Sequence, residues 1–316
     1  MLGLLQRYKL FLLALCATII VSACERNSYV SHPSKNYNPR VSMIIIHHTT
    51  INFQESLDVL TKASGNSVSA HYLVPAPNDP TYPHSHLKTY ALVPETLRAW
   101  HAGSSYWNGK SGLNDQSIGI ELVYEPNCIK NKSPEVSTIE IHLNDICKFD
   151  EYSNEQLNLL HELLSDLTLR YPEIKPVNII GHSDIAPNRK VDPGPKFPWE
   201  KLYEMGFGAW YDDATLKHYQ TTLINAPIDT ALLQKALRFY GYYVEETGIL
   251  DPQTRKTVRA FQLHFQPDDI SGLPSSDTAA ILFALLDKYH PEKLDALNVK
   301  KYIPFDSADK KINLHH

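Results

Sequence analysis

The chain has 316 residues, 43% of them hydrophobic, a length and composition that suit one medium-sized domain and one small one. Its formal charge is −5 and no Lys/Arg-rich stripe interrupts it, which excludes nucleic acid as a partner.

The first segment reads as a processing signal rather than as fold. Arg7 and Lys9 precede the apolar stretch from Leu10 to Val21, which is too short to span a bilayer comfortably. It ends in Val21-Ser22-Ala23-Cys24, which is similar to a bacterial lipobox, in which the cysteine is lipidated and becomes N-terminal. The plainer alternative is an ordinary signal peptide with a chance cysteine. Under the lipoprotein reading, residues 1–23 are the signal peptide and Cys24 is the lipidation site. Glu25 in place of Asp then favours the periplasmic face of the outer membrane of a Gram-negative bacterium. Losing Arg7 and Lys9 with no acidic residue takes the formal charge to −7. Cys128 and Cys147 remain in the mature chain. An oxidising compartment would let them pair, but spacing along the chain does not give their separation.

Residues 24–36 are polar, include Pro33, and read as a tether. Strand and helix signals then mix over 37–215. Val41–Ile46 is a continuous apolar, β-branched run, as a strand covered on both faces requires. Ser67–Val74 and Thr89–Val93 are further strands. Ser117–Val123 alternates, with Ile118, Ile120 and Leu122 on one face and Ser117, Gly119 and Glu121 on the other. Ser153-Asn154-Glu155-Gln156 is a capping box that opens a helix carrying Leu157, Leu160, Leu164 and Leu167 on one face. Tyr171-Pro172 ends it, and Val177–Gly181 is a short strand delivering His182. This is an α/β domain with a mixed central sheet flanked by helices.

A less structured joint is expected around 211–227, and a small all-α domain over 225–292. Leu232, Leu233, Ala236 and Leu237 form a helical stripe stopped by Gly241. Asp251-Pro252 has the N-cap and first-turn signature of a second helix, and Ser276 or Asp277 caps a third. Residues 293–316 read as a polar tail.

The chemistry concentrates in a few residues. His47 and His48 end the first strand, so their side chains should point to opposite sides and only one can face a shared site. His182 and Asp192 lie ten residues apart, the latter just before Pro193-Gly194-Pro195, whose prolines stiffen the loop. Two imidazoles and a carboxylate can supply three ligands to zinc and leave a fourth position open, the arrangement of a catalytic site. Asp184 competes with Asp192 for the carboxylate role, and the residues alone do not separate them. Lys190 would share a face with Asp192 in extended backbone, placing an ammonium where negative charge develops on a carbonyl oxygen. Glu121, on the less apolar face of its strand, suits a general acid–base role beside a metal. A solvated lysine and an edge glutamate paired with a surface cation are the plain alternatives.

Five segments carry a resemblance: Ile44-Ile45-Ile46-His47-His48-Thr49-Thr50, Val68-Ser69-Ala70-His71-Tyr72-Leu73-Val74, Ala99-Trp100-His101-Ala102-Gly103, Asn114-Asp115-Gln116-Ser117-Ile118-Gly119-Ile120-Glu121-Leu122, and Gly181 to Pro195. Together they resemble the zinc-dependent N-acetylmuramoyl-L-alanine amidases, whose fold is shared with phage lysozyme-type amidases and peptidoglycan recognition proteins. The resemblance implies that His47, His182 and Asp192 ligate Zn2+ in preference to His48 and Asp184. It also implies that Glu121 and Lys190 are catalytic and that His101 lines the substrate cleft. There are departures. His48 stands where relatives often carry Tyr or Asn, Ala70 where phage relatives place a catalytic tyrosine, and 124–152 is longer than in many relatives.

Leu232–Leu237, Tyr240-Gly241-Tyr242, Gly248–Thr254 and Val258-Arg259-Ala260-Phe261-Gln262 resemble the three-helix peptidoglycan-binding domain. The implied whole is a lipid-anchored hydrolase of the amide between N-acetylmuramic acid and L-alanine, with peptidoglycan or muropeptides as partners. Rivals are a non-catalytic peptidoglycan receptor and a zinc peptidase or deacetylase. The helical module carries none of the proposed active-site residues, so removing it is expected to spare activity on small substrates.

Overall fold

Met43 to Ile46 are almost wholly buried, as an apolar β-branched run covered on both faces must be. They begin strand β1, Met43–His48, in a computed structural model that describes residues 30–37, 39–63, 68–129, 146–223 and 229–297. The described residues from Pro39 onward form one unit. Cys24 and the signal segment lie outside the described residues.

β1 is followed by α1, Phe53–Thr61, whose N-cap Asn52 accepts from the Glu55 amide at 2.9 Å. Then come β2, Tyr72–Val74, β3, Tyr90–Ala91, and the small hairpin of β4, Tyr106–Trp107, and β5, Lys110–Ser111. β6, Ser117–Leu122, lies beside β1, while β7, Asn127–Ile129, pairs with β8, Ile146–Lys148. α2 covers Asn154–Arg170, β9 covers Ile179–Gly181, and α3 is one turn, His182–Ile185. The central sheet has five strands in the order β3-β2-β6-β1-β9. All its neighbours are parallel except β3, which is antiparallel to β2. The mixed sheet read from the sequence is therefore present.

Register places the site. His47 on β1 is level with Glu121 on β6, and Ile46 is level with Gly181, so β9 hands His182 to the same end of the sheet. The carboxyl ends of parallel strands converge there, where open α/β sheets hold their ligands.

Several local expectations change. Ser153 caps α2, accepting from the Gln156 amide at 3.1 Å, but Gln156 does not complete a capping box. Its side-chain amide instead donates to the carbonyls of Val74 and Val123, docking the helix on the ends of two neighbouring strands. Of the extended Ser67–Val74 signal, residues 68–74 are described, and three of them, Tyr72–Val74, form the strand. The loose joint expected near 211–227 contains α5, Asp213–Leu223, after the short α4, Trp199–Glu204. Tyr219 on α5 packs on Phe283, which gives that helix an apolar anchor its polar sequence hides. Cys128 and Cys147, whose pairing the sequence leaves open, face each other in backbone register across β7 and β8, and their side chains lie outside the described ones.

The C-terminal region is helical, as read. α6 covers Thr230–Tyr240, α7 Pro252–Phe265, α8 Ser276–Tyr289 and α9 Pro291–Ala296. Asp251 caps α7. Ser275, one residue before the expected cap, starts α8 because Thr278 returns its hydroxyl to the Ser275 amide. α9 and the buried Leu297 occupy the start of the segment read as a polar tail, and residues 298–316 lie outside the described ones.

These helices are not an independent appendage. One continuous core runs from β1 and α2 through Trp107 and Trp199 into Tyr240, Tyr242 and Phe265. The indole of Trp107 meets the rings of Tyr242 at 5.0 Å and Tyr240 at 6.0 Å, and Trp199 stacks on His264 at 3.8 Å. Gly241, in a left-handed conformation, lies against Trp107, where a Cβ would sit 2.9 Å from the ring. This packing weighs against the expectation of a dispensable module: its removal would strip apolar cover from the indoles of both Trp107 and Trp199.

Candidate metal centre

His47 Nδ1 lies 2.9 Å from His182 Nδ1 and 3.3 Å from Asp192 Oδ2, and His182 Nδ1 lies 3.1 Å from the same oxygen. All three side chains are buried. Tetrahedral zinc with bonds of about 2.0–2.1 Å needs ligand atoms roughly 3.3 Å apart. The separations fit. The same three residues form the metal-capable cluster found among the described residues.

Each donor is delivered by a different element: His47 by the end of β1, His182 by the first residue after β9, and Asp192 by the loop that follows α3. That loop is held by the Ser183 amide donating to the Asp192 carbonyl at 2.9 Å and by Tyr152 Oη donating to the Pro193 carbonyl at 2.8 Å. Burial and then the neighbouring His182 push the His47 imidazole down to about 4, so it is neutral and able to ligate. Burial alone would raise Asp192, but the adjacent His182 and His47 hold its carboxyl well below the usual range.

His48 and Asp184 are not in the cluster. His48 packs beside Tyr124, with ring centroids 5.4 Å apart. Asp184 is fully buried, accepting from the Gly181 amide at 2.8 Å, from His264 Nδ1 at 2.8 Å and from the Tyr242 hydroxyl. Ala70, where a catalytic tyrosine was absent from the sequence, is buried in the small core under α1.

A cavity of about 280 Å³ opens over His182 and Asp192. Glu121 and Lys190 line it, together with the apolar Ile51, Val59, Val68 and Trp100. The Oε2 oxygen of Glu121 is enclosed and makes no hydrogen bond. Burial, reinforced by Asp192 and opposed by Lys190, pushes its carboxyl up to about 8. His101 is on the same wall, but its ring nitrogens are turned to His47 and Ser117.

Some residues around the donors carried no separate signal in the sequence. Arg189 donates to the carbonyls of Ala102 and Ser104, and Asn114 Oδ1 accepts from the amides of His101 and Ala102. Asn114 and Ser117 lie within the segment that resembles the amidases, yet only the folded chain shows what they touch. Phe149 and Pro126, from the long 124–152 stretch, also line the cavity, which places the two flanks of that insertion at the cleft.

Comparison with known proteins agrees with this geometry. The N-acetylmuramoyl-L-alanine amidase family model matches residues 37–195, and a peptidoglycan binding domain model matches residues 229–282. The chain is 40% identical over 252 residues to the N-acetylmuramoyl-L-alanine amidase AmiD of Escherichia coli, covering 79% of this chain and 84% of that protein. The crystal structure of AmpDh3 from Pseudomonas aeruginosa is similar with a TM-score of 0.71 and 40% identity, over 84% of this chain and 98% of that one. A complex of the E. coli amidase AmiD with anhydro-N-acetylmuramic acid-L-Ala-D-gamma-Glu-L-Lys is similar with a TM-score of 0.70 and 37% identity, over 84% and 97%.

Proposed function

Because the chain belongs to the N-acetylmuramoyl-L-alanine amidase family, and so is a zinc hydrolase of the amide joining N-acetylmuramic acid to L-alanine, we propose that Glu121 is its acid–base group and Lys190 its oxyanion partner. The observation that carries this is Glu121 Oε2, enclosed and without a hydrogen-bond partner among the described residues, on the cavity that His182 and Asp192 also line.

His47, His182 and Asp192 would hold the zinc, which when bound supplies Lewis acidity to the scissile carbonyl and makes water acidic near neutral pH. Burial pushes the Glu121 carboxyl up to about 8 in the metal-free site, and the positive charge of a bound zinc would draw it back down, toward the range where a carboxyl can both take and return a proton near neutrality. Glu121 takes the proton of the attacking water and delivers it to the departing alanine nitrogen, so the amide leaves as a free amine. The Lys190 ammonium offsets the negative charge that builds on the carbonyl oxygen. Trp100, Val59 and Val68 offer an apolar wall beside these groups on which substrate can rest.

The substrate reading follows from the complexes of similar enzymes with anhydromuramic peptides. This chain takes 1,6-anhydro-muropeptides and, through the helical region, the polymer from which they come. We place it on the periplasmic face of the outer membrane, anchored by lipid at Cys24. That placement is supported by the lipobox-like Val21-Ser22-Ala23-Cys24 and by Glu25. The test is to incubate the zinc-loaded protein with an anhydro-muropeptide and with purified sacculi and to identify products by mass. Free stem peptide with an L-alanine amino terminus is expected from both. Release of acetate, or cleavage within the stem peptide, would replace the assignment.

A further inference from the structure

We infer that the turn Trp100-His101-Ala102-Gly103 is a second layer of the zinc site that fixes which nitrogen of each imidazole ligand carries its proton, with His101 as a positioning residue. The inference rests on the zinc ligands named above and adds residues to them.

Two independent contacts reach the ligands from this turn. His47 Nε2 lies 3.0 Å from His101 Nδ1, and His182 Nε2 lies 3.3 Å from the Ala102 carbonyl oxygen. Both histidines offer Nδ1 to the metal, so each must carry its proton on Nε2. A carbonyl can only accept, so Ala102 suits a His182 protonated on Nε2. Arg189 Nη2 also lies 3.4 Å from that nitrogen, but its protons are committed to the Ala102 and Ser104 carbonyls.

The His47 branch is longer and fixed at both ends. At its far end Ser117 Oγ donates to the Leu113 carbonyl at 2.7 Å, which uses the single hydroxyl proton. Ser117 Oγ can therefore only accept from His101 Nε2, 3.3 Å away. That puts the His101 proton on Nε2 and leaves its Nδ1 as the acceptor that His47 needs. One proton arrangement satisfies every member from Leu113 to the metal position. Turning over any one of them would bring two lone pairs or two hydrogens face to face.

The turn is built to stay put. Asn114 Oδ1 accepts from the His101 amide at 3.1 Å and the Ala102 amide at 2.7 Å. Arg189 closes the other side, donating to the Ala102 and Ser104 carbonyls. Beneath the ring lies Gly119, where a Cβ would come within 2.4 Å of the His101 side chain. The glycine in Ser117-Ile118-Gly119-Ile120-Glu121 thus makes room for this imidazole between the sheet and His47.

The experiment measures zinc affinity by competition with a chromophoric chelator, using the full chain. Outer partners of metal ligands are worth roughly 10–100-fold in affinity, so His101→Leu should weaken zinc binding by that factor. His101→Asn places an amide oxygen close to where Nδ1 stood and should recover most of the loss. Wild-type affinity in the leucine variant, or no recovery with asparagine, overturns the inference. Should the leucine variant not fold, Ser117→Ala serves instead, with several-fold weaker zinc expected and unchanged affinity counting against. Nitrogen-15 spectra of the zinc-loaded wild type give a separate readout. His47, His101 and His182 should all be protonated on Nε2, and a His101 protonated on Nδ1 overturns the assignment. Either failure would leave the amidase activity itself standing, so the two readings are separable.

Discussion

The phenol of Tyr242 donates to the buried carboxylate of Asp184, two residues beyond the metal-site residue His182. Tyr242 belongs to the helical region and Asp184 to the catalytic one. His264 joins from α7, donating through Nδ1 at 2.8 Å, so a polar network crosses the shared core at α3. Deleting residues from 225 onward should therefore yield an insoluble or strongly destabilised protein, not a free-standing amidase. Tyr242→Phe isolates the contact: it leaves Asp184 Oδ1 buried without this partner and should cost about 1–3 kcal/mol in chemical denaturation. A truncated protein that melts and cleaves like the full chain would show the two regions to be separable after all.

Removal of metal by a chelator should abolish hydrolysis, and added zinc should restore it. His47→Ala, His182→Ala and Asp192→Ala should each lose zinc on gel filtration, since each removes one of three protein ligands. His48→Ala should keep its metal, because His48 lies outside the cluster. Metal analysis of the purified variants decides between the neighbouring histidines.

Glu121→Gln should retain zinc and lose on the order of 10²–10⁴ in kcat, the range of a general acid–base group. The same variant has a stability signature in the metal-free protein. The Glu121 carboxyl sits at about 8 when folded, above its ordinary 4.5, so the folded state keeps a proton that the unfolded chain releases. Its stabilising contribution is complete below pH 4.5 and is lost as pH rises through about 8. Glutamine cannot ionise, so the Tm of the variant should gain on wild type from pH 5 to pH 9. A constant difference across that range would place Glu121 in a wetter setting.

Lys190→Ala should also retain zinc, with kcat reduced on the order of 10²–10³ if the ammonium acts on developing charge. Steady-state kinetics separate the possibilities: a change confined to KM makes Lys190 a substrate-binding residue.

Cys24→Ser should release the protein from membranes. A single acyl chain holds a bilayer marginally and several hold it firmly, so loss of the lipidated cysteine should be decisive. Fractionation of cells expressing the variant checks this, and recovery in the outer membrane after a high-salt wash would contradict the anchor.

What the sequence determined by itself is what is local. The buried run of β1, the alternation of β6, the Ser153 cap and the Asp251-Pro252 start of α7 depend on residues a few positions apart, and hydrophobic periodicity records them directly. The motifs around His47, His182 and Asp192 were likewise legible, since each of these converging side chains sits at the end of a strand or on a stiffened loop. Only the tertiary structure decided which polar groups share a proton. His47, His101 and Ser117 come from three separate segments, and so do Asp184, Tyr242 and His264. A buried polar side chain must find a partner, but the pattern of its own segment does not say which one. For the same reason the helical region read as a detachable module. Its amphipathic stripes show that an apolar face needs cover, and only the packing shows that Trp107 and Trp199 supply it.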